Sequence, residues 1–233
     1  MAKDKRITKL KLNKIYNSDA IKFMQRLPEN SIDLIITDPP YNLGFDYGKY
    51  KDNLTNEEYF KWCSKWLRYC YRILKENGSI YVIHYPEQAS RLMILMSDLG
   101  LQFQNWITWH YNSNIGVSPK NFTRSQRTIL FFTKSSRFKF NLKEGEIVLD
   151  YLEYQLVKNV SKEKIEGSPN QIPLKLISLL IDLSSNKNDI VFDPFIGSGT
   201  TAVASANLKR KYLGCDQNLD YVKIAYERIK RGY

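Results

Sequence analysis

Histidine and cysteine are scarce in this sequence, and their scarcity excludes several classes of site. Among 233 residues there are 2 histidines and 3 cysteines, and Cys63, Cys70 and Cys215 form no C-x-x-C pair. We therefore expect neither a metal site nor a disulfide, in a reducing compartment. Cys63 and Cys70 fall on one side of a predicted helix, so we expect both to be buried.

Long apolar runs are also absent. No run approaches the ~18 residues that cross a bilayer. The basic start, MAKDKRITKLKLNK, contains no apolar segment, so we expect no secretion signal, no membrane partner and a cytoplasmic location. Hydrophobic residues make up 43% of the chain, which predicts an ordinary globular core. The length suits a single domain spanning residues 1–233.

Acidic residues are missing from the whole segment between Leu99 and Lys143, in a chain whose net charge is +11. A solvated face normally mixes the two signs of charge. Here only cations occur, and the aromatic residues interleaved with them are Trp106, Trp109, Tyr111 and Phe122. This combination favours a nucleic-acid partner over a membrane surface. The candidate DNA-binding residues are Lys120, Arg124, Arg127, Arg137 and Lys139.

Short apolar runs alternate with helical patterns, which is typical of an α/β fold with a mostly parallel, doubly wound sheet and helices on both faces. We expect strands at residues 15–17, 32–37, 79–84, 103–110, 128–133, 190–193 and 212–216. We expect helices at residues 19–27, 55–76, 86–99, 200–208 and 219–231, and another that starts at Pro173. Asn77-Gly78 is expected to end the second helix. Residues 138–167 have weak, mixed periodicity and are interpreted as a small insert.

A glycine-rich turn follows one of these strands and opens a helix. Residues 197–202, GSGTTA, fit the pattern G-x-G-x-x-A, and Asp216 ends the next strand, where it could accept both hydroxyls of a ribose. A dinucleotide would bring a pyrophosphate to this turn, where Asp193 would repel it by about 1 to 4 kcal/mol per charge pair at ~4 Å. S-adenosylmethionine, which carries a sulfonium and no phosphate, is therefore favoured over NAD.

The stretch Asp38-Pro39-Pro40-Tyr41 ends another strand. In an open α/β sheet, ligands bind beyond the carboxyl ends of strands where the strand order reverses, so we expect Asp38 and Asp193 to face one crevice. Asp38 and the carbonyl of Pro39 could accept the two N–H groups of an exocyclic amine, because proline fixes φ and holds that carbonyl in place. Tyr41 offers a ring on which a base could stack. The stretch therefore predicts a site that aligns an amino group with a sulfonium.

The motifs DPPY at residues 38–41 and DPFIGSGT at residues 193–200 resemble those of the DNA amino-methyltransferases. Their order is similar to that of the β class of N6-adenine enzymes, in which the catalytic half precedes the cofactor half of a Rossmann-like methyltransferase fold. The resemblance implies a site-specific DNA methyltransferase that transfers a methyl group from S-adenosylmethionine to N6 of a flipped adenine in double-stranded DNA. It implies the catalytic residues Asp38, Pro39, Pro40 and Tyr41. The cofactor-binding residues that it implies are Asp19, Ala20, Asp38, Ser168, Asn170, Asp193, Phe195, Gly197, Ser198, Gly199, Thr200, Asp216 and Gln217.

The resemblance also implies features outside these motifs. Target recognition is placed at roughly residues 117–167, and the mobile element at residues 42–53. A homodimer and a cognate restriction endonuclease are the further partners implied. The sequence departs from the family pattern at Ile172, where a basic residue is frequent, and at Gln126-Arg127, where His-Glu is frequent.

Several alternatives remain at the level of sequence. The same geometry would serve N4 of cytosine, although the motif of that class more often begins with Ser. Methylation of a glutamine or of an RNA guanine is another reading of the same chemistry. An NAD-dependent oxidoreductase and a catalytically inactive DNA-binding protein are alternatives from other classes.

Overall fold

The computed structural model describes residues 11–44, 53–112, 117, 119–158, 161–168 and 170–233. The strands of its one sheet are β1 Lys14–Asn17, β2 Ile32–Thr37, β3 Leu74–His84, β4 Gln102–His110, β5 Gln126–Thr133, β6 Tyr151–Glu153, β7 Ile190–Asp193 and β8 Lys211–Asp216. The helices are α1 Ala20–Gln25, α2 Asn56–Ile73, α3 Pro86–Asp98, α4 Leu174–Ser184, α5 Thr200–Asn207 and α6 Leu219–Arg231. Most of the predicted mobile element, residues 45–52, lies outside the described residues.

The sheet has the strand order β1-β8-β7-β2-β3-β5-β4-β6. Strand β5 runs antiparallel to both of its neighbours, and every other pairing is parallel. The fold is therefore the predicted Rossmann-like, mostly parallel sheet, with the DPPY half before the glycine-rich half along the chain. The order reverses between β2 and β7, because β2 continues through β3 on one side while β7 continues through β8 on the other.

Helices cover both faces of this sheet. One core cluster packs α1, α2 and α3 against one face, and a second packs α4 and α5 against the other, with β2 contributing Ile35 to the first and Leu34 and Ile36 to the second. Successive residues of a strand point to opposite faces, so a strand covered on both sides is buried along its length and mostly apolar. All six residues of β2 are buried, as this requires.

The second predicted helix begins as expected but ends earlier. The Thr55 side chain accepts from the Glu58 N–H, and the Glu58 carboxylate accepts from the Thr55 N–H, which forms the predicted capping box. The helix ends at Ile73 rather than at Asn77-Gly78, since Leu74 adopts extended backbone and pairs with Ile32 in the sheet. Complete burial of Leu74 stabilises this earlier exit.

The segment interpreted as an insert contributes a strand that the sequence did not predict. Strand β6 pairs parallel with β4 at the edge of the sheet, with Trp109 opposite Leu152. Only Leu152 of its three residues is buried. A strand this short carries almost no periodic signal, which is why its pattern was not recognised.

Two further observations concern the helices. Cys63 and Cys70 are both buried on α2, as predicted from their spacing, and both are free thiols. Among the described residues, no helix is both long enough and apolar enough to cross a bilayer.

Candidate active site

The carboxyl ends of β2 and β7 lie side by side at the point where the strand order reverses. The two strands pair in parallel, with Leu34 opposite Val191 and Ile35 opposite Phe192. Asp38 follows β2 directly and Asp193 is the last residue of β7. The predicted proximity of these two acidic strand ends is therefore confirmed, and both line one cavity.

Most of the predicted catalytic and cofactor-binding residues meet in that cavity. Those that line it are Ala20, Asp38, Pro39, Pro40, Tyr41, Ser168, Asn170, Asp193, Phe195, Gly197, Ser198, Thr200, Asp216 and Gln217. The lining residues that sequence reasoning missed are Ser18, Ile172, Pro194, Ile196, Thr201 and Tyr221. Four of these six neighbour a predicted residue directly in the chain or lie within a motif already quoted. Ile172 was noted only as a departure from the family pattern, and Tyr221 enters from α6 without a sequence signal.

Asp19 and Gly199 are not brought into the cavity. Asp19 is the N-cap of α1, where its side chain accepts from the Lys22 N–H at 2.9 Å. Gly199 has φ of 87°, and a Cβ built there would lie 2.5 Å from the Cβ of Ala225 on α6. Both residues therefore shape the backbone around the cavity rather than face a ligand.

Both oxygens of Asp38 have a partner. The Tyr41 hydroxyl donates to Oδ1, and the Arg127 guanidinium lies 3.7 Å from Oδ2. Burial raises the pKa of Asp38 to about 6, while Arg127 and the Tyr41 hydroxyl act in the opposite direction. An incoming amine must therefore compete with Tyr41 for this carboxylate.

Tyr41 is packed more closely than the sequence suggests. Its ring centroid lies 4.5 Å from that of His84 and 5.0 Å from that of Tyr85, and the Arg127 guanidinium carbon lies 5.3 Å from it. Only 5% of Tyr41 is exposed. A base that stacks on this ring must take the place of one of these neighbours, so the structure is that of a closed base pocket.

A buried hydrogen-bond chain holds the second proline of the motif. The Tyr85 N–H donates to Nδ1 of His84, and Nε2 of His84 lies 2.7 Å from the Tyr59 hydroxyl, which donates to the Pro40 carbonyl at 2.7 Å. Burial, helped by Arg127, lowers the pKa of His84 to about 3, so its ring is neutral. Since Nδ1 accepts, Nε2 carries the proton and donates to Tyr59. This chain fixes the backbone next to Asp38.

Arg127 was predicted to contact DNA, but the structure places it beside the Asp38 carboxylate. It is 5% exposed, and its guanidinium lies 5.3 Å from the ring centroid of Tyr41, 5.6 Å from that of Tyr85 and 5.2 Å from that of Trp109. Burial lowers the pKa of Arg127, but Tyr41 and Asp38 raise it by more, so the residue stays a cation. A side chain enclosed in this way does not reach a DNA backbone.

The two other carboxyls at the cavity hold the glycine-rich turn. Asp193 accepts from the Phe195 N–H at 3.0 Å and from the Thr201 hydroxyl at 2.8 Å. Asp216 accepts from the Gly197 N–H at 3.0 Å. Burial raises the pKa of Asp193 to about 7 and also raises that of Asp216. Each carboxylate therefore both shapes the turn and adds negative potential to the cavity.

The charged side chains that line the cavity directly have one sign. Asp38, Asp193 and Asp216 line it, and the described lining residues include no Lys or Arg. A cationic ligand would relieve the cost of burying three carboxylates, whereas a pyrophosphate would add to it. This charge distribution supports the sequence argument for a sulfonium cofactor over a dinucleotide.

The loop before β5 carries two of the predicted DNA contacts to the rim of this site. Strand β5 begins beside the end of β3, with Thr128 opposite His84. Arg124 precedes it and stacks its guanidinium 4.9 Å from the ring centroid of Tyr85. Lys120 and Phe122 belong to the same loop, and Phe122 is 99% exposed.

The other two predicted DNA contacts lie at the opposite end of the strands, where β2 and β7 begin. Lys139 forms ion pairs with Asp33 at 3.1 Å and with Asp189 at 2.6 Å. Asp33 is the second residue of β2, and Asp189 immediately precedes β7. Asp33 and Asp38 are five residues apart along β2, roughly 16 Å at 3.3 Å per residue. Arg137 is exposed on the turn after β5 at this same end. The prediction that Lys139 contacts DNA does not fit its two ion pairs, and Arg137 lies equally far from Asp38.

Comparison with known proteins agrees with this geometry. The family model of a DNA methylase with N6 or N4 specificity matches residues 32–227. The chain is 40% identical over 230 residues to the type II methyltransferase M.HpaI of Haemophilus parainfluenzae, covering 91% of this chain and 72% of that protein. It is 30% identical over 254 residues to the type II methyltransferase M1.MboII of Moraxella bovis, covering 93% of this chain and 96% of that protein.

Two solved structures share the fold. The crystal structure of the M1.HpyAVI–SAM complex is 26% identical, with a TM-score of 0.71 over 92% of this chain and 98% of that one. The PvuII DNA methyltransferase, described as cytosine-N4-specific, is 22% identical, with a TM-score of 0.78 over 94% of this chain and 93% of that one. The second likeness concerns the fold alone.

Proposed function

The chain belongs to the family of N6- and N4-specific DNA methylases, and from this premise we propose that it methylates N6 of an adenine flipped out of double-stranded DNA. The observation that carries the proposal is the shared cavity. It joins a DPPY carboxylate on β2 to a glycine-rich turn on β7. The enzyme is an S-adenosylmethionine-dependent DNA methyltransferase, and our proposal concerns the base that it methylates, which is adenine.

The cavity residues fit the cofactor. We assign Asp216, at the end of β8, to the ribose hydroxyls and the Gly197 turn to the amino-acid portion. The negative potential of Asp38 and Asp193 suits the sulfonium. When bound, S-adenosylmethionine supplies an electrophilic methyl group.

The residues of β2 prepare the amine. Asp38 accepts one of its N–H groups, and the Pro39 carbonyl accepts the other at a position that proline fixes. Two acceptors draw the nitrogen toward tetrahedral geometry and expose its lone pair. Asp38 then stabilises the positive charge that develops on this nitrogen, and with a pKa of about 6 it is suited to receive the released proton before passing it to water.

Entry of the base requires a local rearrangement. The Tyr41 hydroxyl must leave Oδ1 of Asp38, and the cluster formed by Tyr41, Tyr85 and Arg127 must open to admit a stacked ring. The departing contacts are replaced by the amine and by stacking on the base, worth about 1 to 3 kcal/mol. We infer that the flipped base itself opens the pocket.

Lys120, Arg124 and Phe122 mark the proposed DNA-facing rim. They lie at the same end of the strands as Asp38, in the segment without acids. Cations there attract phosphates, and an exposed aromatic ring suits contact with bases. We also propose target recognition by residues 117–167, a homodimer, and a cognate restriction endonuclease, by analogy with the type II relatives.

Product analysis tests the assignment of the target amine. Genomic DNA from a methylation-free host that expresses the chain is digested to nucleosides and analysed by mass spectrometry. The proposal predicts N6-methyladenine. If N4-methylcytosine were the only product, the adenine assignment would be wrong. The same site would then methylate cytosine, because the geometry around the amine suits either base.

The pH dependence of the reaction tests the role of Asp38 as an ionised acceptor. Activity should rise as pH increases through about 6, since Asp38 must lose its proton to accept the amine. Arg127→Gln removes the cation that opposes the effect of burial, so the pKa of Asp38 should rise further and the acid limb should move to higher pH. Single-turnover rates measured from about pH 5 to about pH 8 follow this shift.

The matched control is Arg124→Gln, which removes a guanidinium stacked on Tyr85 but not paired with Asp38. Its acid limb should coincide with that of the wild-type enzyme. An unchanged limb in Arg127→Gln would show that the cation does not act through Asp38.

A further inference from the structure

Arg228 of α6 is a fully buried cation directly behind the glycine-rich turn. Its Nη1 donates to the Ser198 carbonyl at 3.0 Å, to the Ser198 hydroxyl at 3.1 Å and to the Thr200 hydroxyl at 2.8 Å. Its Nε donates to a main-chain oxygen of Tyr233, the last residue of the sequence, at 3.1 Å. Arg228 is 0% exposed, and it does not line the cavity itself.

Among the described residues, no Asp or Glu side chain forms a salt bridge with this guanidinium. Its buried Nη2 also has no hydrogen-bond partner within the part of the chain that the structure describes. Burial lowers the pKa of Arg228 to about 10, opposed by the more distant Glu163, so the side chain is charged at neutral pH. Burying a guanidinium without a side-chain carboxylate beside it is costly, and an anion that arrives with a ligand would lower this cost.

The bonds from Arg228 decide what the two hydroxyls can do. A hydroxyl has one proton to donate and two lone pairs that accept. Because Nη1 donates to the oxygens of Ser198 and Thr200, the protons of these hydroxyls remain available for another acceptor. Among the described residues, the acceptor for the Thr200 hydroxyl proton is the Ile172 carbonyl, at a long 3.4 Å. Ser198 and Thr200 both line the cavity, so a ligand oxygen there can accept from both.

S-adenosylmethionine carries one anionic group, the carboxylate of its methionine portion. We propose that Arg228 is a positioning residue that turns the Ser198 and Thr200 hydroxyls into donors for this carboxylate and supplies the buried positive charge opposite it. The inference deepens the assigned methyl-donor site and rests on it. It gives the cavity two ends of opposite polarity, with Asp38 and Asp193 toward the sulfonium and Arg228 behind the carboxylate.

Cofactor selectivity, rather than activity, tests this role. Dissociation constants for S-adenosylmethionine and for its decarboxylated analogue are measured by calorimetry on the wild-type chain and on Arg228→Met. The wild-type chain should prefer the carboxylate-bearing ligand by about tenfold to hundredfold, as expected for hydrogen bonds to a charged group. Arg228→Met should lose this preference while binding the analogue as before. Equal loss for both ligands would reduce Arg228 to a packing role and overturn the proposal.

Two milder variants cover the case in which Arg228→Met does not fold. Ser198→Ala keeps Arg228 but removes one donor, and Arg228→Lys keeps the charge but not the fork of donors. Both should reduce the preference, whereas Lys223→Met, at an exposed position of the same helix, should not. Full preference in both folded variants would contradict the proposal. A wild-type chain that binds neither ligand would instead refute the cofactor assignment itself.

Discussion

Asp38→Ala lowers the single-turnover rate of methyl transfer by about a hundredfold to ten-thousandfold, while binding of S-adenosylmethionine remains measurable because Asp193 and Asp216 still line the cavity. The expected loss is large because Asp38 both orients the amine and stabilises the charge that develops on it. Rates are measured with a methyl-labelled cofactor at saturating DNA, and affinity is measured by calorimetry without DNA.

Removal of Asp38 also leaves Arg127 buried without its carboxylate, 3.7 Å away in the native protein. Breaking such a pair is destabilising, so thermal unfolding must accompany the kinetics. Asp38→Asn combined with Arg127→Gln restores a neutral pair of similar volume and should remain folded yet inactive. Activity near the wild-type level in the folded double variant would remove Asp38 from the mechanism.

Gly197→Val weakens binding of S-adenosylmethionine by about a hundredfold or more, and because φ of 48° is strained for a β-branched residue it also lowers stability by about 1 to 3 kcal/mol. Gly197 has φ of 48°, and the nearest heavy atom to a Cβ built there is the Phe195 carbonyl oxygen at 4.0 Å. A valine side chain there would therefore contact few protein atoms. Because Gly197 lines the cavity, the added methyl groups would occupy space that the cofactor needs. Calorimetric titration measures the affinity, and far-ultraviolet circular dichroism reports the fold.

Gly199→Ala is the matched control, two residues further along. Here the added Cβ would lie 2.5 Å from the Cβ of Ala225, and φ is 87°. The expected effect is therefore on stability, a loss of about 1 to 3 kcal/mol, with a lower melting temperature. If Gly197→Val bound the cofactor normally once folded, the assignment of Gly197 to the cavity would be wrong.

Local sequence was sufficient to predict the two strand ends. A buried apolar run followed by Asp38, and a strand followed by Asp193 and a glycine turn, each carry a short-range signal. The alternation of strands and helices then implied that both ends meet at the switch point. The pairing of β2 with β7 confirms this step.

The supporting cations could not be predicted because they act across the fold. Arg127 meets Asp38 through the antiparallel strand β5, and Arg228 meets Ser198 through the packing of α6 on α5. Neither contact leaves a periodic pattern in the chain. The run of positive charge in the sequence also led to the assignment of Lys139 to DNA. Charge along the chain does not tell at which end of the strands a residue lies, so this assignment failed.

A crystal structure with sinefungin, whose amine replaces the sulfonium of the methyl donor, tests the central claim most directly. We predict that the carbon bearing this amine lies between the carboxyl ends of β2 and β7, with Asp38 and Asp193 both flanking it and the ribose on Asp216. Binding elsewhere, with the analogue clear of Asp38, would contradict the assignment of one shared cavity to the amine and the methyl donor.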